Sequence, residues 1–154
     1  MVETKLESAV SFYELKWDTD YFGVTCAKAI LHKPLDINEW KLLKKKFEDY
    51  QFVSIENRNS EPVNAQLIGK DSMASLVDVN IQFVKTVEVR QKMSSNIRVH
   101  QAYEKEDQIL EMADFQFSKF TEDNELAKRN GDQVYRQWLI NSFGKSDKFF
   151  AVSK

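Results

Sequence analysis

VTCAKAILHKPLDINEWKLLKKKFEDYQFVSIE, residues 24–56, is the stretch that sets the fold class. Residues 24–31 (VTCAKAIL) are β-branched and mostly apolar, which is strand composition. Pro34 breaks the strand, because it has no N–H to give to a ladder. A helical pattern starts just after it. Asp36 and Glu39 stand at capping-box spacing, with Asp in place of the usual Ser or Thr. Ile37, Trp40, Leu43, Phe47 and Tyr50 recur at helical spacing and make one apolar face. Lys41, Lys44, Lys45 and Lys46 fall largely on the other face. Glu48 and Asp49 follow at once, so the lysines read as a solvated face and not as a phosphate site. Residues 51–56 (QFVSIE) form a second buried strand. Strand, helix and strand in this order point to an α/β class, and for the chain as a whole an α+β mixed sheet is the expectation.

Outward from this centre, residues 11–16 (SFYELK) read as a short strand. WDTDYFG (17–23) reads as a turn, because Asp side chains cap backbone N–H groups and Gly tolerates positive φ. Downstream, Ser60, Glu61 and Pro62 open a short helix that ends near Gly69. Residues 76–89 (LVDVNIQFVKTVEV) alternate with period two, which predicts a strand with one buried face. The polar run RQKMSSN (90–96) lacks periodicity and is read as a linker and internal boundary. Beyond it, IRVHQA (97–102) is a strand, and Ile109, Leu110, Ala113 and Phe117 mark a helix face. SKFTEDN (118–124) is a polar loop, in which Asp123 or Asn124 caps the next helix. That helix turns Leu126, Val134, Tyr135, Trp138 and Leu139 inward. Gly131 falls inside it, which predicts a kink or split, and Gly144 ends it. KFFAVS (148–153) is a final strand.

The composition narrows the class. The 154 residues are 42% apolar and 30% charged, inside the globular range. Twenty-two basic residues against 24 acidic ones leave a net charge of −2, so no global attraction to nucleic acid or anionic lipid is expected. One cysteine excludes an intrachain disulfide and suits a reducing compartment. MVETKLESAV lacks the basic-then-apolar order of a signal peptide. No apolar run approaches the roughly 20 residues that span a bilayer. A cytoplasmic globular protein with no membrane partner is the expectation.

The usual chemistry is sparse. His32 and His100 are far apart, and no paired ligands of a metal site are visible. Cys26 lies mid-strand, where a buried inert thiol is the default over a nucleophile. The four glycines (23, 69, 131, 144) are too scattered for a dinucleotide or Walker loop. QLIGKD (66–71) has the opening spacing of an acetyl-CoA pyrophosphate loop. Its last position needs Gly or Ala so that backbone can approach phosphate, and here it is Asp71. The segment also ends a helix where such a loop should begin one, so it is set aside.

LKWDTDYFGVTCAKAIL (15–31) is similar to the Trp/Pro-Asp-Ser-x-Phe-Phe-Gly opening of one protein branch, and LVDVNIQFVKTVEV (76–89) to its Leu-Val-Asp-x-x-x-x-Phe strand. IRVHQAYEKEDQILEMADFQF (97–117) resembles the first strand and helix of its transferase domain. FSKFTEDNELAKRNGDQVYRQWLINSFG (117–144) resembles a Phe-x-Ser-Arg-Phe-x-x-Asp loop followed by Tyr-x-x-Trp-Ile-x-Asn-Ser. The branch is that of the GNAT N-acetyltransferases acting on sugar nucleotides, among them the dTDP-fucosamine acetyltransferases. The resemblance runs over almost the whole chain.

The resemblance implies an N-terminal accessory α/β domain over 1–95 and the first β-α-α-β of a GNAT domain over 96–154. GNAT proteins hold acetyl-CoA further on, on a bulged strand and a Gln/Arg-x-x-Gly-x-Gly/Ala loop. The expectation is therefore a chain that stops before the donor loop, binds no acetyl-CoA alone and carries no catalytic residue. In the family the loop between the first two helices lines the acceptor pocket. Carried over, that implies Phe117, Ser118, Lys119, Phe120 and Asp123 as contacts to an amine or amino-sugar substrate. Lys119 stands where the pattern has Arg, keeping the charge and losing the bidentate fork.

From the residues themselves, Phe117 and Phe120 read as core and Asp123 as a cap. Tyr135 and Trp138 read as packing, and Trp17, Asp18, Phe22 and Gly23 as a structural corner. Glu104, Glu106 and Asp107 start a helix, where carboxylates suit the macrodipole. KFFAVS would leave an open pairing edge, which a second copy or a partner should cover, so a homodimer is expected. The alternative to the enzyme is a non-catalytic binding or dimerisation module of the same fold.

Overall fold

The computed structural model describes residues 8–86, 96–101, 104–115 and 117–153. The chain divides into two compact units, Met1–Leu76 and Val77–Lys154. Most of the run read as a boundary, 90–95, lies outside the described residues.

The first unit is a three-stranded mixed sheet of β1 (Val10–Glu14), β2 (Cys26–Leu31) and β3 (Phe52–Asn57), in that order. β1 runs antiparallel to β2, with Phe12 opposite Ala29. β3 runs parallel to β2, with Ala29 opposite Ile55. The parallel pair needs a crossover, which α2 (Ile37–Phe47) supplies. The expected capping box opens it. Asp36 Oδ1 accepts from the Asn38 and Glu39 amides at 2.9 and 3.0 Å, and Glu39 Oε2 accepts from the Asp36 amide at 2.7 Å. Trp40 and Leu43 are buried, whereas Ile37 is exposed, so the apolar face is narrower than its sequence spacing suggests. They pack with Val10, Ala29, Leu31 and Leu35, and Ile55, Leu67 and Ile68 close the cluster.

One expectation is corrected beside β1. The stretch read as a turn is a helix, α1 (Lys16–Phe22), and β1 stops at Glu14. Trp17 and Tyr21, four apart, stack on one helix face at 4.9 Å, and Asp18 favours the first turn. Gly23 still ends the segment with φ +66°, its amide donating to Thr19 O at 2.9 Å.

α3 (Pro62–Asp71) carries Pro62 in its first turn, as expected, and runs two residues past Gly69. Two polar ties hold it. Buried Asn64 accepts from the Leu35 amide at 2.9 Å and donates to Lys33 O and Asn57 Oδ1 at 3.0 and 3.2 Å. Asp71 accepts from Trp40 Nε1 at 3.0 Å and pairs with Lys44 at 3.2 Å. Past it, the alternating segment is not a strand: residues 73–86 adopt no regular structure. Val79, Ile81 and Phe83 are exposed. Alternation alone cannot make a strand without a ladder partner, and no described residue supplies one. Residues 87–89 of that expectation lie outside the described residues.

In the second unit, β4 (Ile97–Gln101) and β5 (Phe149–Ser153) form an antiparallel ribbon. Between them come α4 (Asp107–Glu111), α5 (Lys119–Glu122), α6 (Asn124–Ala127) and α7 (Val134–Ile140). The helix expected from Leu126 to Leu139 is split into α6, a 3₁₀ turn at Gly131–Gln133 and α7. Asn130 has φ +62°, and Gly131 is buried where a Cβ would lie 2.0 Å from Phe120 O. The chain thus breaks where Gly131 lets two backbone segments meet. Gly144, with φ +74°, lies four residues past the end of α7, so the helix ends earlier than expected. No helix among the described residues is long and apolar enough to cross a membrane.

Candidate functional site

The loop Phe117–Asp123 is the segment singled out for acceptor binding, and its five candidate residues have distinct placements. Ser118 caps α5: its Oγ accepts from the Phe120 and Thr121 amides at 3.2 and 3.3 Å. Thr121 Oγ1 closes the box by accepting from the Ser118 amide at 3.0 Å. Asp123 caps α6, with Oδ1 accepting from the Glu125 and Leu126 amides at 3.0 Å each. Two of the polar candidates therefore hold local backbone.

Phe120 is 2% exposed and is core, as its spacing suggested. Phe117 is not: it is 81% exposed. The reason is the length of α4. That helix ends at Glu111, so its 3.6-residue periodicity carries Ile109 and Leu110 inward and does not extend to Phe117. Lys119 lies between core and solvent, with Nζ 4.7 Å from the Phe120 ring centroid.

Beneath the loop is an aromatic cluster. Phe120 meets Tyr135 and Trp138 edge-on at 5.7 and 5.6 Å, and Tyr135 meets Trp138 at 5.2 Å. Phe115 lies 4.5 Å from Tyr135 and remains half exposed. Burial, and then the Asp78 carboxylate, push the Tyr135 phenol above its ordinary range. Tyr135 and Trp138 thus pack, as expected, but Trp138 keeps 41% of its surface open. Phe115 was missed by sequence reasoning. The available signal was the close spacing of Phe115, Phe117 and Phe120 ahead of Tyr135 and Trp138. The loop therefore offers an exposed ring and a cation, backed by buried Phe120 and the partly exposed aromatics around it, and fixed by two caps. Such a surface can stack on a planar or sugar ring and attract an anion.

The other candidates lie elsewhere. Cys26 is buried, and its thiol donates to Val24 O at 3.3 Å. His32 Nε2 is 2.8 Å from Ser11 Oγ at an exposed position. His100 Nε2 is 3.6 Å from Glu106 Oε1. Glu106 is the N-cap residue of α4 and Asp107 is in its first turn, as helix-start carboxylates. Among the described residues no three His, Cys, Asp or Glu side chains could hold a metal ion together. Gln66 to Asp71 lie within α3, so the segment that imitates a pyrophosphate loop is helical. Lys44 and Trp40 engage the Asp71 carboxylate, and Lys44 above all holds it below the usual range. No family model matches the chain, and no curated protein or solved structure matches it.

Proposed function

We propose that this chain carries the acceptor-side part of a GNAT-like N-acetyltransferase, which transfers an acetyl group to the amine of a nucleotide-linked amino sugar. The observation that carries the reading is an exposed Phe117 ring and a half-buried Lys119 cation on one loop pinned by the Ser118 and Asp123 caps. Further support comes from the element order around it. Among the described residues between 97 and 153, a strand, a short helix, this loop, further helices and a second strand antiparallel to the first follow one another. The sequence resemblance implies that order.

In this reading Phe117 lies against the sugar or base, and Lys119 attracts the phosphate as a point charge. Ser118 and Asp123 hold the loop, and Phe120 backs it. Acetyl-CoA is the donor of such reactions. The Gln66–Asp71 segment does not fit it, because its backbone amides are committed to a helix and its last residue is a carboxylate. No donor step and no general acid or base is assigned to these residues.

The test is an amide chemical-shift titration of the chain with a dTDP-linked amino sugar. Shifts should cluster at Phe117–Asp123, and Lys119→Glu should weaken binding about tenfold or more, which is about 1.4 kcal/mol. Acetyl-CoA alone should leave the spectrum unchanged. No shifts in this loop at millimolar sugar nucleotide would refute the proposal.

A further inference from the structure

An open sheet edge presents unpaired N–H and C=O groups, and natural proteins guard such rows with charged side chains or proline. Among the described residues β1 and β3 are the outer strands of one sheet, and β4 and β5 each have an uncovered side in the other. β1 contains Glu14. β3 contains Glu56, which Lys28 and Arg58 engage at 2.7 and 3.0 Å. β4 contains Arg98 and His100. β5, Phe-Phe-Ala-Val-Ser, has neither a charge nor a proline. It is the one unguarded strand among those described.

The register supplies a second observation. Ile97 stands opposite Ser153, Val99 opposite Ala151 and Gln101 opposite Phe149. Opposed residues share a face, and on this face Ile97, Val99 and Phe149 are all exposed. On the other face Phe150 meets the Phe143 ring at 5.5 Å. A two-stranded ribbon is marginal in water, and more strands with an apolar face are needed for independent stability.

We propose that β5 pairs antiparallel with β5 of a second copy of this chain, joining two ribbons into a four-stranded sheet. A short uncharged strand is complementary to itself in the antiparallel sense, and a two-fold axis then presents the same edge from both sides. Centring the pairing on Phe150 sets Phe149 of each copy opposite Ala151 of the other, large against small. The same register sets Lys148 opposite Val152 and keeps the Lys148 side chains of the two copies apart. The two apolar strips of Ile97, Val99 and Phe149 become one.

Sedimentation equilibrium of the whole chain tests this, with amide exchange of β5 read at high and low protein concentration. A reversible monomer–dimer equilibrium is expected, with β5 amides protected in the dimer and released on dilution. Ala151→Lys should raise the dissociation constant about tenfold or more while circular dichroism is retained. Should that variant fail to fold, the exchange of the unaltered chain decides. A chain that stays monomeric at hundreds of micromolar overturns the proposal. A dimer whose β5 amides exchange as fast as in the monomer overturns it equally.

Discussion

In the first unit a fully buried Trp40 sits among Val10, Ala29, Leu31, Leu35 and Leu43, and sheet and helices cover it from several sides. In the second, Ile109, Leu110, Phe120, Leu126 and Val134 are buried, yet Phe115, Phe117, Trp138 and Phe149 all keep large exposed areas. The difference follows from the elements available. The first unit has a helix of 11 residues and one of 10 to lay on its sheet. The second has helices of four to seven residues and a two-stranded ribbon. Short helices gain little from their own hydrogen bonds and cover little surface. The first unit is the better packed, and the second leaves more apolar surface exposed.

The largest expected effect breaks the well-packed side of this contrast. Trp40→Ala removes a fully buried ring and should destabilise the first unit by about 4 kcal/mol. A fall in urea midpoint, with loss of amide protection across β2 and β3, is the readout. Next comes Gly131→Ala. The new methyl would lie 2.0 Å from Phe120 O and 2.8 Å from Leu126 O, both backbone atoms that cannot swing aside. A cost of about 3 kcal/mol is expected, seen as lost amide protection from Phe120 to Val134. Loss of protection in β2 and β3 to the same degree would show that the two units melt as one and would dissolve the contrast.

These two variants also mark what was legible beforehand. The strands at 26–31 and 52–57 and the capped helix between them could be read because composition, proline and the Asp36–Glu39 box agree with one another. Gly131 was legible as a break, although its reason, the approach of the Phe120 backbone, is tertiary. α1 was missed because Asp and Gly among aromatics look alike in a turn and in a short helix with a glycine end. The alternating 76–86 segment misled because period two reports a preference and cannot report a partner. At the candidate loop, the Asp123 cap and the core placement of Phe120 were legible. The exposure of Phe117 was not, since it depends on where α4 stops.

A smaller effect separates scaffold from recognition inside that loop. Ser118→Ala should cost about 1 kcal/mol, because two amides of α5 lose their acceptor. Lys119→Ala should cost about 0.5 kcal/mol, the worth of a partly solvated cation over a ring. The order should reverse in ligand titrations, where Lys119 matters directly and Ser118 only through loop order. Equal effects of the two on binding would mean that the loop's shape, and not its charge, selects the ligand.

The smallest effect is electrostatic and again differs between the units. Lys28, with Arg58 beside it, holds the Glu56 carboxyl below the ordinary glutamate range. A lowered folded-state pKa adds stability that is full above the ordinary value and is lost as pH falls through the folded one. Because the pair is partly exposed, its worth is about 0.5 kcal/mol or less. In the second unit Lys128 lowers Glu125 and Lys148 lowers Asp147 in the same direction. Those partners are three residues apart and adjacent in sequence, so the unfolded chain retains part of each attraction. Glu56 and Lys28 belong to different strands and meet only when β2 and β3 pair. Glu56→Gln should therefore flatten the acid limb of stability below about pH 5, while Glu125→Gln should leave it nearly unchanged. Urea midpoints across pH 3–6 measure both, and added salt should shrink the Glu56 difference. An equal flattening by Glu125→Gln would mean that sequence separation does not set the pH response of these pairs.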